Sequence, residues 1–312
     1  MVEGPGWNVA WSAQSPSLSS PRRLDGSTPK SGSPVAAVVQ IVGYETGAAT
    51  TAATGSEGGT DGESDGGEST ATEAASLLLA TEDGIERAPL EPGRSLDYRL
   101  EARHCAGVLD DEGHEPCDAP EAPYCPDHTD RWACARCTGN CDLPLPNCHE
   151  EHAVYLAGFR PATFKVGVTK SWRLETRLRE QGADRGAHLR TVKNGRIARE
   201  IEFDIAADVG DSVRVDAKIR GLHEAFEEDA WRDLLADYDH LATYDLDYGL
   251  DLSDRPMQEA LASGRVRGTK GRVLLLDNGG STYAVDLRDL VGYEVDPGGT
   301  DRQLQSSLGA WD

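Results

Sequence analysis

Residues 152–183 read HAVYLAGFRPATFKVGVTKSWRLETRLREQGA. Two apolar runs, AVYLAGF and FKVGVT, flank a short break at residues 160–163 and predict two neighbouring β-strands. In the segment that follows, Leu174 and Leu178 lie four residues apart, the spacing of one helix face, and Gly182 is typical of a helix end. Two strands followed directly by a helix predict a module of the α/β type.

The sequence on either side of this module is mostly β-like. Downstream, residues 195–205 (GRIAREIEFDI) predict a further strand, and residues 213–238 predict a second helix, continuous or in two parts. Near the C-terminus, Asn278-Gly279 between two apolar runs is the strongest local signal of a β-hairpin. Strand candidates near the N-terminus occur at residues 37–44, 76–80 and 96–101.

These patterns predict an α+β protein in which N- and C-terminal strands form a small β unit beside the central module. Two segments are too poor in large apolar side chains to offset the entropy of folding. The predicted parts are a disordered tail (1–35), an N-terminal β segment (36–103) with an acidic disordered loop (45–74), a cysteine-rich segment (104–152), the α/β module (153–245) and a C-terminal β segment (246–312).

All seven cysteines lie in the cysteine-rich segment, where apolar side chains are scarce. Zinc thiolate sites take four ligands at tetrahedral corners, and a Cys-x-x-Cys or Cys-x-x-His turn supplies two of them. Seven cysteines and one histidine suffice for two structural zinc ions, which supply folding energy that a small core lacks. The predicted ligands are Cys105, Cys117, Cys125 and His128 for one ion, and Cys134, Cys137, Cys141 and Cys148 for the other.

Disulfides and unlinked core cysteines are the alternatives to zinc. The number of cysteines is odd, and the N-terminal residues lack the apolar core of about 7–15 residues found in secretory signals. We therefore expect a reducing, cytoplasmic location, in which metal binding is favoured over disulfides. His104 and His149 each adjoin a cysteine and are weaker candidates than His128, because neighbouring side chains chelate one ion poorly.

The chain carries 31 basic and 54 acidic side chains, a formal net charge of −23. This excludes a general polybasic nucleic-acid binder, and no run approaches the roughly 18 apolar residues of a transmembrane helix. An acidic surface poor in lysine is typical of a halophilic protein, because molar salt shortens the Debye length to about 3 Å and screens self-repulsion. The alternative, an acidic tail on an ordinary protein, does not account for the acidic residues at 221–260.

Residues 153–220 differ from the rest of the chain, with 14 Lys/Arg and 9 Asp/Glu residues. A basic region within so acidic a chain favours a locally anionic partner such as a nucleic-acid backbone. Arginines that pair with neighbouring acids explain the composition equally well. Arg265, Arg267, Lys270 and Arg272 of the C-terminal hairpin either add to a binding surface or protect an edge strand from pairing.

Three motifs in the module carry a family resemblance. Val154-Tyr155-Leu156, Lys165-Val166-Gly167-Val168-Thr169 and the helical Arg177-Leu178 resemble the corresponding parts of the GIY-YIG nuclease superfamily. More narrowly, HAVYLAGF, KVGVT and TRLREQGA after a double cysteine cluster resemble the domain-of-unknown-function family DUF2797. This narrower resemblance covers about residues 95–290 with gaps and is sharpest over 152–183.

The GIY-YIG resemblance implies metal-dependent phosphodiester cleavage. In such chemistry Mg²⁺ or Mn²⁺ holds the scissile phosphate, and a guanidinium neutralises the charge that develops on it. By position, the resemblance implies catalytic roles for Tyr155, Lys165, Arg177 and Asp216. The substrate contacts it implies are those of Gly167, Thr169, Lys170 and Arg173.

Several of these positions depart from the family pattern. Ala153 takes the place of the first glycine, Lys165 that of the second tyrosine, and Asp216 is one methylene shorter than the expected glutamate. Lys165 would need a strongly lowered pKa to act as a base. Each of the other implied catalytic roles has a non-catalytic alternative. Tyr155 could be a packed strand residue, Arg177 a solvated or phosphate-binding arginine, and Asp216 an ordinary surface carboxylate.

The sequence as a whole therefore predicts a zinc-stabilised nucleic-acid-binding protein, with metal-dependent nuclease activity as the chemistry implied for its central module. One alternative is a catalytically inactive module that only binds nucleic acid. The other is a zinc-stabilised scaffold for protein interactions.

Overall fold

The computed structural model describes residues 38–47, 74–110, 113–129, 149–300 and 304, all within one unit of the chain. The tail at 1–35 and most of the acidic loop at 45–74 lie outside this range. The strands are β1 (Val39–Glu45), β2 (Ser76–Thr81), β3 (Gly84–Pro89), β4 (Ser95–Arg103), β5 (Val108–Asp110), β6 (Gly113–Glu115), β7 (His152–Phe159), β8 (Thr163–Lys170), β9 (Arg185–Val192), β10 (Ala242–Asp245), β11 (Met257–Gln258), β12 (Ala262–Lys270), β13 (Val273–Asn278), β14 (Ser281–Asp286) and β15 (Tyr293–Pro297). The α-helices are α1 (Leu174–Gln181), α2 (Gly195–Val209), α3 (Val215–Gly221), α4 (Glu228–Ala236) and α5 (Leu287–Leu290). This combination confirms the α+β class.

The larger sheet has nine strands in the order β11-β14-β13-β12-β4-β15-β1-β2-β3. β1 pairs with β15, and β4 lies between β12 and β15, so strands far apart in sequence are neighbours. β13 and β14 form the expected hairpin, in which Asn278 pairs with Ser281 and the turn residues Gly279 and Gly280 have φ of 56° and 81°. These left-handed angles suit glycine, and the two-residue turn confirms the hairpin prediction.

The apolar core of the larger sheet combines side chains from both ends of the described chain. Leu77 and Leu79 of β2 pack in the same cluster as Leu274 and Leu276 of β13, and all four are buried. Residues two apart in a strand share a face, so Leu275 points to the opposite side. There it packs in a second cluster that includes α3.

The smaller sheet contains the central module in the order β10-β9-β7-β8, with antiparallel neighbours. Tyr155 and Phe159 of β7 pack with Leu174 and Leu178 of α1 on one face, and the other face packs against α2 and α4. Within the described ranges, every helix is too short or too polar to traverse a lipid bilayer.

The strand predicted at 195–205 is wrong, because these residues lie in α2. Asn194 caps this helix by accepting a hydrogen bond from the Ile197 N–H at 2.9 Å. Ile201 and Ile205 pack onto the smaller sheet, whereas Phe203 between them is 80% exposed; a strand would place all three on one face. The sequence analysis missed two strands of the smaller sheet, β9, whose Gly-Ala-containing start gives only a weak apolar signal, and its neighbour β10.

The two sheets meet around α1 and α3. Ile219 of α3 packs with Val273 and other apolar residues of the larger sheet. Asp184, which follows α1 and is 2% exposed, lies 2.6 Å from the Lys270 ammonium of β12 and 2.9 Å from Arg160 Nε. A buried ion pair therefore joins the smaller sheet to the larger one.

Candidate metal centre and basic cavity

Three cysteines and one histidine converge in the segment after β4. Cys105 follows β4, Cys117 follows β6, and Cys125 and His128 come next along the chain. Their ligand atoms all lie within 4.8 Å of one another, and His128 Nδ1 is 3.3 Å from Cys105 Sγ and 3.4 Å from Cys125 Sγ. A tetrahedral zinc ion would place such atoms about 3.5–3.8 Å apart, given its usual bond lengths. The four residues therefore fit a metal ion and are compatible with zinc.

The surroundings of Cys105 favour its thiolate form. Burial raises the pKa of this thiol, but hydrogen bonds from the backbone N–H groups of Cys125 and Gly107 and from His128 outweigh burial and lower the pKa to about 7. The two backbone donors lie 3.3 and 3.4 Å from the sulfur. Because the thiolate is the metal-binding form, these donors prepare the cluster to bind an ion.

His128 is the histidine that joins this cluster. His104 Nε2 instead lies 3.2 Å from the Glu294 carboxylate, and His149 is exposed outside the cluster. The ligands predicted for the second zinc ion lie outside the described residues, so that ion stays a prediction. They are Cys134, Cys137, Cys141 and Cys148.

A cavity of about 630 Å³ lies between α1, α3 and the larger sheet. Arg177 of α1 and Asp216 of α3, two residues with implied catalytic roles, both line it. Asp216 is exposed, and its carboxylate accepts a hydrogen bond from Gln258 at 3.0 Å. We call this space the basic cavity because its lining includes the side chains of Arg177, Arg214, Lys218, Lys270 and Arg272. The acidic side chains in the lining are those of Glu180, Asp216, Asp286 and Asp289.

Lys218, in the lining of the basic cavity, is surrounded by other cationic groups. Burial lowers the pKa of its ammonium group most, and the nearby cations Lys165, Arg272, Lys270 and Arg177 lower it further, to about 7. Lys218 Nζ donates a hydrogen bond to the Gln181 carbonyl at 2.7 Å, but this neutral partner leaves the repulsion from the nearby cations in place, and an anion would offset it.

Arg272 provides a second sign of a missing partner. Its Nη2 donates to the Asp286 carboxylate at 2.7 Å, whereas its buried Nε has no hydrogen-bond acceptor among the described residues. Buried polar atoms nearly always have a partner, so this N–H is available to a ligand.

Tyr155 lies behind the basic cavity rather than in its wall. Its ring is 1% exposed, and its hydroxyl accepts a hydrogen bond from Gln181 Nε2, a side chain that does line the cavity. A Cβ on Gly167, its partner on β8, would lie 2.6 Å from the Tyr155 hydroxyl, so the packed ring requires glycine there. Burial raises the pKa of Tyr155, against the lowering effects of Gln181 and Arg177, so the hydroxyl keeps its proton at neutral pH.

The other residues with implied roles lie in or just after β8. Lys165 and Thr169 lie within this strand, Lys170 ends it, and Arg173 is in the turn before α1. Burial and then the neighbouring Arg177 lower the pKa of Lys165, which has no hydrogen-bond or ion-pair partner among the described residues. The structure therefore groups Lys165 with Tyr155, Arg177 and the basic cavity, while Lys170 and Arg173 lie to one side.

Sequence analysis missed Lys218 and assigned Lys270 and Arg272 to the C-terminal hairpin alone. β12 and β13 are interior strands of the larger sheet, so the interpretation of this basic hairpin as protection for an edge strand is wrong. Lys270 and Arg272 instead complete the basic cavity, opposite a helix about 50 residues earlier in the chain. The excess of basic residues at 153–220 and the family resemblance, which selects Arg177 and Asp216, are the sequence signals that point towards this site.

Comparison with known families agrees with the narrower resemblance. Residues 128–254 match the model of a family described as a protein of unknown function, DUF2797. The match begins at His128 and includes the smaller sheet with α1–α4, which supports the family resemblance over this part of the chain. Neither a curated protein nor a solved structure matches the chain.

Proposed function

We propose that this chain is a zinc-stabilised nucleic-acid-binding protein that holds phosphate groups in the basic cavity. The observation that carries the proposal is the cavity lining, in which the half-buried Lys218 lies among four other Lys or Arg side chains and has its pKa lowered to about 7. A phosphate group would offset this repulsion and supply an acceptor for the unpaired Nε of Arg272. The volume of about 630 Å³ is within the usual range of ligand sites.

A second cavity, about 810 Å³ in volume, is a poorer match to a phosphate. It adjoins His128 of the metal cluster and is lined mainly by apolar side chains, with Arg288 as its one Lys or Arg residue among those described. The five basic side chains of the basic cavity therefore favour that cavity as the phosphate site.

The large negative charge of the whole chain does not exclude such binding. Residues 153–220 contain 14 Lys/Arg and 9 Asp/Glu residues and are therefore positively charged, although the formal net charge of the whole chain is −23. At physiological salt the Debye length is about 8 Å, and it is shorter still in molar salt. A bound phosphate therefore responds chiefly to the cations that line the cavity.

Phosphodiester cleavage with Mg²⁺ or Mn²⁺ is the second candidate function. It is favoured by the presence of Arg177 and Asp216 in the same cavity lining. Binding is better supported than cleavage, because the Tyr155 hydroxyl is buried, bonded to Gln181 and held in its protonated form. A catalytically inactive protein-interaction scaffold remains the alternative in which the cavity takes no nucleic acid.

The proposal is tested with the full-length protein and labelled single- and double-stranded DNA and RNA, in high KCl with Mg²⁺ or Mn²⁺. A nucleic-acid-binding protein should shift the labelled strands intact, a nuclease should cut them, and a scaffold should leave them unaffected. Arg177→Ala should weaken binding by about 1–3 kcal/mol, as expected for a charge-assisted hydrogen bond, and lower the salt dependence by about one counterion. If the protein is a nuclease, the same substitution should lower turnover about 10²–10³-fold.

Arg220→Ala provides a matched control. Arg220 is an exposed arginine on α3, two residues after Lys218, and is not part of the cavity lining. The control should bind like the unmodified protein, whereas Lys218→Met should bind more weakly. Equal binding by all of these variants would contradict a phosphate site in the basic cavity.

A further inference from the structure

We infer that Trp172 is a stacking surface for an unpaired base of a single-stranded nucleic acid, an inference that rests on the proposed phosphate-binding function. Trp172 lies in the 3-10 turn Ser171–Arg173 that precedes α1, and it is 74% exposed. Large exposed aromatic side chains leave apolar surface in water, which a binding partner can cover.

Two cationic groups flank the indole ring. Lys170 Nζ lies 5.8 Å and Arg173 Cζ lies 5.9 Å from the ring centroid. These distances are within the roughly 6 Å range of a cation–π contact. An exposed aromatic ring next to cations matches both parts of a nucleotide, because the base can stack on the ring while the phosphate competes with Glu150 and Glu180 for Lys170 and Arg173.

An ionic chain connects this turn to the basic cavity. Arg173 Nη2 lies 2.6 Å from one carboxylate oxygen of Glu180, and Arg177 Nη1 lies 3.0 Å from the other. Glu180 and Arg177 both line the cavity. The turn that carries Trp172 is therefore linked through Glu180 to the wall of the basic cavity.

Stacking also defines the class of nucleic acid. Inside a duplex both faces of a base are covered by its neighbours, so a protein side chain can stack only on an unpaired or terminal base. Every base has a stacking face, so we expect little preference for sequence. The shared chemistry is an unpaired base next to a phosphate, which single-stranded DNA and RNA both supply.

Phe203 shows that exposure alone does not define this surface. It lies on α2 and is 80% exposed, yet no Lys or Arg group contacts its ring in the described part of the chain. Phe203 is therefore the matched control for Trp172.

The test measures fluorescence anisotropy of the full-length protein with a labelled single strand, the corresponding duplex and an abasic strand with the same number of phosphates. Both DNA and RNA versions of the single strand are used. We expect the intact single strand to bind more tightly than the abasic strand or the duplex. Trp172→Ala should raise the Kd for the intact strand about 5- to 150-fold and leave the abasic strand nearly unchanged. Trp172→Phe should keep most of the affinity, and Phe203→Ala should keep all of it.

The outcomes separate this inference from the function on which it rests. If the unmodified protein binds intact and abasic strands equally, prefers the duplex, or responds alike to Trp172→Ala and Phe203→Ala, the stacking assignment is overturned and phosphate binding stands. Equal weakening of intact and abasic strands by Trp172→Ala would also overturn it, since that pattern indicates a structural effect. If no polyanion binds, the proposed function itself fails.

Discussion

The cysteine-rich segment and the larger sheet become ordered by different means. In β13, Val273 to Leu276 are all buried, and this strand packs on both faces. In β5, by contrast, all three residues are exposed, and the nearby Cys105 belongs to a cluster that could hold a metal ion. A metal ion bound to this cluster would supply folding energy in a segment where apolar side chains are scarce. The two regions should therefore respond to different perturbations.

The largest expected effect is that of metal removal. Chelation, or Cys125→Ser, should abolish metal binding at the Cys105 cluster and the order around it, because zinc binding to such sites provides about 10 kcal/mol or more of folding energy. Amide hydrogen exchange should accelerate at Gly107 and Cys125, whose N–H groups bond to Cys105 Sγ, while β13 stays protected.

His104→Ala is the control for metal removal. His104 lies outside the cluster, so this variant should retain its ion in elemental analysis. Retention of full metal content by Cys125→Ser, or unchanged protection after chelation, would show that the segment does not depend on the cluster.

The next effect is a change in the larger sheet that should leave the metal cluster unaffected. Leu274 is fully buried in the core of the larger sheet, so Leu274→Ala should lower the free energy of unfolding by about 2–5 kcal/mol in urea melts. Leu241→Ala should change it little, because Leu241 is 67% exposed. Metal content should be the same in both variants. A loss of metal in Leu274→Ala would show that the larger sheet and the cysteine-rich segment are not independent.

The third effect concerns pH and the border between the larger sheet and the basic cavity. The pKa of Lys218 falls from 10.5 to about 7 on folding, first through burial and then through neighbouring cations. Between these pH values the unfolded chain holds a proton that the folded chain releases, so stability without an anion should rise as pH increases.

Urea melts across this pH range measure the dependence. Lys218→Met should remove this part of the slope, whereas Leu274→Ala should lower stability without altering the slope. A slope that is the same in Lys218→Met and the unmodified protein would show that Lys218 is not the group responsible.

Local sequence patterns were sufficient to predict the elements whose contacts are formed between residues close together in the chain. The β7–β8 pair, α1 and the Gly279-Gly280 turn each follow from spacing and turn chemistry within a few residues. The Cys-x-x-His spacing of Cys125 and His128 likewise identified the histidine that the folded cluster contains. The error at α2 arose because its isoleucines also resemble an alternating strand when the cap at Asn194 is overlooked.

The basic cavity could not be predicted from local sequence patterns. Lys218 and Arg272 belong to elements that become neighbours only when α3 packs on the larger sheet. Likewise, the pKa of Lys218 is lowered first by burial and then by four surrounding side chains from separate segments. Charge composition indicated that a basic surface exists, but only the topology determines which cations share a cavity.

The pairing of β4 with β12 and β15 also affects the order in which the chain can fold during synthesis. The two partner strands, β12 and β15, begin about 150 residues or more after β4 in the chain. When β4 leaves the ribosome they have not yet been made, so both of its edges lack their native neighbours. The smaller sheet lies between them in sequence and is complete at β10, so it can fold first and bring the ends of the intervening chain closer together. Limited proteolysis of chains stalled after residue 250, once β10 has left the exit tunnel, should therefore cut within β1–β4 while β7–β10 resist.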